Sequence, residues 1–182
     1  MNSEIIGLFD TAIKIGLGAL IVAVSNYLIS RNNYKNEENK EFVKRYIDSL
    51  DNVTIAAEDF FQKWNRLTSS TAGISKITTE KNIQYTQKHY KFIKTNDDEF
   101  VNSRNKRMTA ISKLKLLKLN DVAKTLENTI EIEKEFRNII FFEDRIPKTN
   151  VIYDFDKKMD IQRELFYKSL SSHYKLNKLN NS

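Results

Sequence analysis

Two histidines, no cysteine and a scatter of carboxylates are all that this 182-residue chain offers for acid–base, nucleophilic or metal chemistry. His89 and His173 stand among lysines and tyrosines, and neither has a second histidine or carboxylate at metal-ligand spacing with a third partner in view. Both read as solvated surface side chains. Asp154, Asp156 and Asp160 suggest a cation loop, but YDFDKKMD lacks the turn glycine of an EF-hand. They read better as acids in the first turn of a helix, where the macrodipole favours negative charge. With four glycines in the chain, no phosphate-cradling loop, dinucleotide fingerprint or nucleophile elbow is present. Helical ribonucleases of the HEPN family place an arginine shortly before a histidine. Here Arg163 lies too far ahead of His173 for that motif. The expectation is a protein that is not an enzyme and carries no cofactor and no metal.

Charge is the stronger chemical signal. The net charge is +6, with a pI near 9.3. From Ser70 to Ser182 there are 22 Lys/Arg against 15 Asp/Glu. Two acid-free runs hold much of the excess. Lys88, Lys91 and Lys94 interleave with Tyr85, His89, Tyr90 and Phe92, and Arg104, Lys106, Arg107, Lys113, Lys115 and Lys118 follow. Cations beside aromatics can hold phosphates and stack bases, or hold anionic lipid headgroups. They can equally form a solvated helix face whose aromatics point inward. Nucleic acid, membrane lipid and an acidic protein are the partners this charge suits.

The element that positions everything else is the stretch Ile5–Ser30, IIGLFDTAIKIGLGALIVAVSNYLIS. A hydrocarbon core of ~30 Å needs roughly 20 apolar residues in a helix, and Thr11 to Ile29 supplies them. Three of the four glycines lie in it, as membrane helices tolerate. Asp10 and Lys14 are at i,i+4 and can pair, with Lys14 snorkelling outward. A buried core helix is the competing reading. No Lys or Arg precedes the stretch, so a secretory signal is not indicated. Arg31, Lys35, Lys40, Lys44 and Arg45 follow it closely. The positive-inside rule then places the N-terminus outside and the rest in the cytoplasm, a single pass of the inner membrane. Ala12, Gly16, Ala19, Ala23, Asn26 and Ser30 recur at spacings of 4, 3, 4, 3 and 4. Such a seam of small and hydrogen-bonding residues lets membrane helices approach, predicting a homo-oligomer.

Beyond the anchor (1–30) the sequence predicts a helical stalk (31–41), a cytoplasmic helical bundle (42–176) and a frayed tail (177–182). One proline and one glycine after residue 30 leave little punctuation for strands or tight turns. A heptad series, Val43, Tyr46, Leu50, Val53, Ala57, Phe60, Trp64 and Leu67, marks a long amphipathic helix. Ile47 and Phe61 widen the stripe, which favours burial in a bundle over a two-stranded coiled coil. Ser69 to Ser75, with Gly73, reads as a loop, and Thr78 or Thr79 as the next helix cap. Ile83, Tyr90, Ile93, Phe100, Val101, Met108, Ile111 and Leu114 line a face across 81–119. Thr95 to Glu99 can interrupt it, leaving one helix or two. Asn120–Asp121 opens a further helix whose face is Val122, Leu126, Ile130, Phe136 and Ile140, with Glu133 a polar gap. Arg145 to Asn150 is a loop. The last helix spans Tyr153 to Leu176.

The fold class expected is therefore all-α: an N-terminal transmembrane helix and an antiparallel bundle of about four long helices. Three functions suit it. The first is a membrane-anchored interaction module that self-associates and recruits a cytoplasmic protein. The second is a membrane-perturbing effector of the phage-defence or toxin-like kind, for which Asp10, Lys14 and Asn26 would line a wet path. The third is a tethered nucleic-acid binder. The layout is similar in general form to small bacterial and phage proteins with an N-terminal anchor, a likeness that transfers no residues.

Overall fold

The computed structural model describes the backbone of residues 2–142 and 146–179. Side chains are described from 25 to 173, apart from 28, 32, 35, 36, 80 and 143–145. Among the described residues there are four α-helices and no strand: α1 (Asn2–Glu80), α2 (Gln87–Leu116), α3 (Asn120–Phe142) and α4 (Thr149–Leu179). The chain divides into two units, Met1–Arg45 and Tyr46–Ser182.

In the second unit the C-terminal part of α1 packs with α2, α3 and α4 as an up-down-up-down bundle. Cross-helix pairs give the directions. Asp59 meets Lys106 while Arg66 meets Glu99; Glu58 meets Arg163 while Trp64 meets Asp156; Asp121 meets Ser169 while Glu135 meets Lys158. The heptad stripe forms one wall of the core. Leu50, Val53, Ala57, Phe60, Trp64 and Leu67 are fully buried, and Tyr46 packs at the edge. The stripe is thus spent on an intramolecular core. Trp64 lies at its centre, with ring centroids 5.6 Å from Phe100 and 5.0 Å from Phe136. Phe60 meets Phe100 at 5.3 Å, and Phe136 meets Phe155 at 5.4 Å. Fully burying each such side chain is worth about 1.5–3 kcal/mol, so these rings outweigh any surface ion pair.

Several expected boundaries move. Ser69–Ser75 is not a loop, because α1 continues to Glu80. Of its small polar residues, Thr71 and Ser75 are buried, Ser70 is half-buried and Ser69 is exposed, and the buried hydroxyls find partners. Thr68 and Thr71 hydroxyls donate to the carbonyls of Trp64 and Leu67. Ser75 Oγ reaches across to the Pro147 carbonyl at 2.7 Å. Thr78 and Thr79 cap nothing; they donate back to Ile74 and Ser75. Gly73 is an exposed mid-helix residue with no positive φ. The true turn comes at Asn82, whose φ of 51° ends α1 in the left-handed region that asparagine tolerates.

α2 starts at Gln87 rather than Lys81 and runs unbroken through Thr95–Glu99. It ends in a Schellman arrangement. Leu119 N–H donates to Leu114 O, Lys118 N–H donates to Lys115 O, and Lys118 holds φ 60°. Ile83 and Met108, expected inside, are exposed; the inward position beside Met108 belongs to Arg107. α4 begins at Thr149, so Asp154, Asp156 and Asp160 lie beyond its first turn.

Among the described residues no helix is long and apolar enough to cross a membrane. From Arg31 onward α1 is too rich in charge to do so. The structure therefore supports the bundle but not the transmembrane helix. Most of the expected span, and the seam positions Ala12, Gly16, Ala19 and Ala23, lie outside the residues whose side chains are described. Asn26 and Ser30 are exposed.

Candidate functional site

The bundle's most unusual chemistry is a ladder of buried charge between α2 and α3. Glu133, the polar gap in the α3 stripe, is 2% exposed. Two arginines one turn apart on α2 converge on it. Arg104 bonds one carboxylate oxygen, and Arg107 Nη2 lies 2.8 Å from the other. Arg107 is itself 3% exposed. Its Nη1 donates to Thr129 Oγ1 at 3.1 Å, and its guanidinium sits 4.4 Å from the centre of the Phe60 ring. Burial, followed by the neighbouring Arg104 charge, brings the Arg107 pKa down to about 10, so it stays charged at neutral pH. Two turns along, Asp97 is fully buried and takes a bidentate pair from Arg137, at 2.7 and 3.0 Å. That contact raises the Arg137 pKa. Lys94 bonds Asp98 as well as Asp97.

The charges alternate along an antiparallel pair, so each acid faces a base only in one register. Buried ion pairs are weak stabilisers against hydrophobic packing, but breaking one leaves an uncompensated charge. Arg104 Nε, Arg107 Nε and Glu133 Oε2 have no hydrogen-bond partner, so the Arg107–Glu133 contact is an ion pair without hydrogen-bond geometry.

A second cluster joins α1 to α4. Arg163 Nη2 bonds Glu58 at 2.9 and 3.1 Å, and the Tyr167 hydroxyl donates to the same carboxylate. Burial acts to raise the Glu58 pKa, but the bonds from Tyr167, Gln62 and Arg163 outweigh it and the net direction is down. Burial and the Glu58 contact push Tyr167 up to about 12. Asp156 is a third structural acid. Its Oδ1 accepts from Trp64 Nε1 and Thr68 Oγ1, each at 3.0 Å, and burial raises its pKa. An indole N–H needs such an acceptor when buried.

The residues singled out in the sequence are dispersed by this arrangement. Of the nine basic positions, Lys94, Arg104, Lys106, Arg107 and Lys115 are paired with acids. Arg107 lies inside the core. Lys88, Lys91 and Lys118 are exposed, and Lys113 is half-buried. Lys106 and Lys113 line a shallow groove of about 250 Å³ between α1 and α2, with Asn52, Asn105 and Thr109. A second groove of about 240 Å³ adjoins it at Lys106, but its Asp59, Lys63 and Glu99 are already paired. His89 Nδ1 accepts the Thr86 backbone N–H at 3.3 Å, and His173 lies 3.4 Å from Asp121. Among the described residues no group of three or more His, Cys, Asp or Glu is placed to hold a metal ion.

These features define an all-helical bundle registered by interior ion pairs. No protein-family model, curated protein or solved structure matches the chain.

Proposed function

We propose that this protein is a membrane-tethered helical interaction module that self-associates and recruits a cytoplasmic protein partner, performing no reaction of its own. The observation that carries the reading is the use made of charge. The basic and acidic residues best suited to chemistry lock α1 to α4, α2 to α1 and α2 to α3. They serve a scaffold. Nucleic-acid binding is disfavoured because Arg104, Lys106 and Arg107 are engaged with Glu133 and Asp59. The tether rests on the apolar run Thr11–Ile29 and on the cations that follow it. Self-association rests on the small-residue seam from Ala12 to Ser30.

Alkaline carbonate extraction tests the tether. The full chain should stay with the membrane pellet, a chain begun at Glu41 should be released, and a reporter fused after Ser182 should read as cytoplasmic. Full-length protein in the soluble fraction without detergent would overturn the reading.

A further inference from the structure

Once the paired cations are set aside, the unspent basic charge of the bundle's first run lies at one place: the link 81–86 and the first turns of α2. Every residue of the link is exposed. Lys88, Lys91, Phe92 and Thr95 follow at i, i+3, i+4 and i+7 and are all exposed, so they share one outward face. Large apolar side chains stand among them in water. Ile83 is 45% exposed, Tyr85 37% and Phe92 54%. No Asp or Glu occurs between Lys81 and Lys94. The site is ordered by its own contacts. Asn82 turns the chain out of α1, His89 accepts the Thr86 N–H, and the Tyr85 ring stacks on His89 at 6.0 Å.

We infer that this segment, through its exposed Lys81, Ile83, Tyr85, Lys88, Lys91 and Phe92, docks on an anionic lipid surface. Its cations are all lysines, compact point charges that an anionic headgroup layer attracts. An aliphatic Ile83 offers no stacking face to a base, but Ile, Tyr and Phe together fit the boundary between headgroups and acyl chains. Charge complementarity and interfacial side chains thus point to the same partner. The inference stands on this face alone and does not require the N-terminal tether.

The chain has no cysteine, so Gln84→Cys gives a single site for an environment-sensitive fluorophore in the full protein. Vesicles of phosphatidylcholine alone are compared with the same vesicles containing phosphatidylserine. The label should shift to the blue only with phosphatidylserine. The shift should disappear in molar salt, as expected for screened charge, and in Lys88→Glu/Lys91→Glu. Phe92→Ser should reduce it. These positions are exposed, and circular dichroism is the check that the variants fold. A label at exposed Asn138 should not respond. Equal emission in both vesicles overturns the proposal. A response to single-stranded RNA without vesicles would reassign the face to nucleic acid, and a concentration-dependent response of the protein alone would reassign it to a second copy. Flotation with neutral vesicles reads the tether separately, so either idea can fail without the other.

Discussion

Glu133 is the buried carboxylate on which two α2 arginines converge. It sits where a leucine would complete the α3 stripe, yet it pairs with two arginines. Glu133→Leu alone should destabilise the protein by about 3–5 kcal/mol, because Arg107 is left buried without its counter-charge. Adding Arg107→Met should restore most of that loss, since an apolar pair of similar volume suits the interior. Urea denaturation of the two variants and the parent measures both. Glu58 gives a pH signature. Its folded pKa lies below its unfolded value, so its contribution is present above the ordinary glutamate range of about 4.3 and is lost as pH falls through the folded pKa. The stability advantage of the parent over Glu58→Gln should therefore be present at neutral pH and shrink in acid. Paired denaturation curves across that range check the sign. Asp156 acts in the opposite sense. Its raised folded pKa means that stability falls as pH rises from the unfolded to the folded value.

The helices explain why some boundaries could be read and others could not. The stripe from Leu50 to Leu67 is continuous and apolar, so its periodicity was visible. The segment Ser69–Ser75 has loop composition, but its hydroxyls find carbonyls one turn back and its Ser75 finds Pro147. Composition could not reveal those partners. Gly73→Ala tests the helix directly. A Cβ there meets nothing within 4 Å, so the change should stabilise by about 0.5–1 kcal/mol through helix propensity. A loop glycine at positive φ would respond in the opposite direction. Lys118 is the converse case, an L-residue in the left-handed region where helices usually place glycine. Lys118→Gly should raise the thermal midpoint, with a gain of about 1 kcal/mol.

Among the described residues the core lies within the unit Tyr46–Ser182. A chain begun at Glu41 should therefore fold without the preceding residues. It should show helical circular dichroism and one cooperative unfolding transition, with fluorescence of buried Trp64 and ellipticity changing together. Separate transitions by the two probes would mean that the first forty residues are needed to complete the bundle. Such a chain also serves as the released control in the carbonate experiment, which links the folding unit to the tethering question.

Helix content, the long stripe on α1 and the opening of α3 at Asn120 were all legible in the sequence, because each depends on local spacing and residue type. Glu133 was legible as an anomaly, a carboxylate in an apolar row, but its partners were not. Arg104 and Arg107 lie on another helix, and a cation run has the same appearance in sequence whether it faces water or an acid. The same limit applies to Asp156, whose role depends on Trp64 many residues earlier in the chain. Pairing across helices and along α2 divided the basic runs into Arg104 and Arg107 at buried Glu133, surface pairs at Lys94, Lys106 and Lys115, and the remaining lysines, among them exposed Lys88 and Lys91. That division is set by three-dimensional register: a buried charge is tolerated only opposite its complement, and the complement is supplied by the packing of another helix.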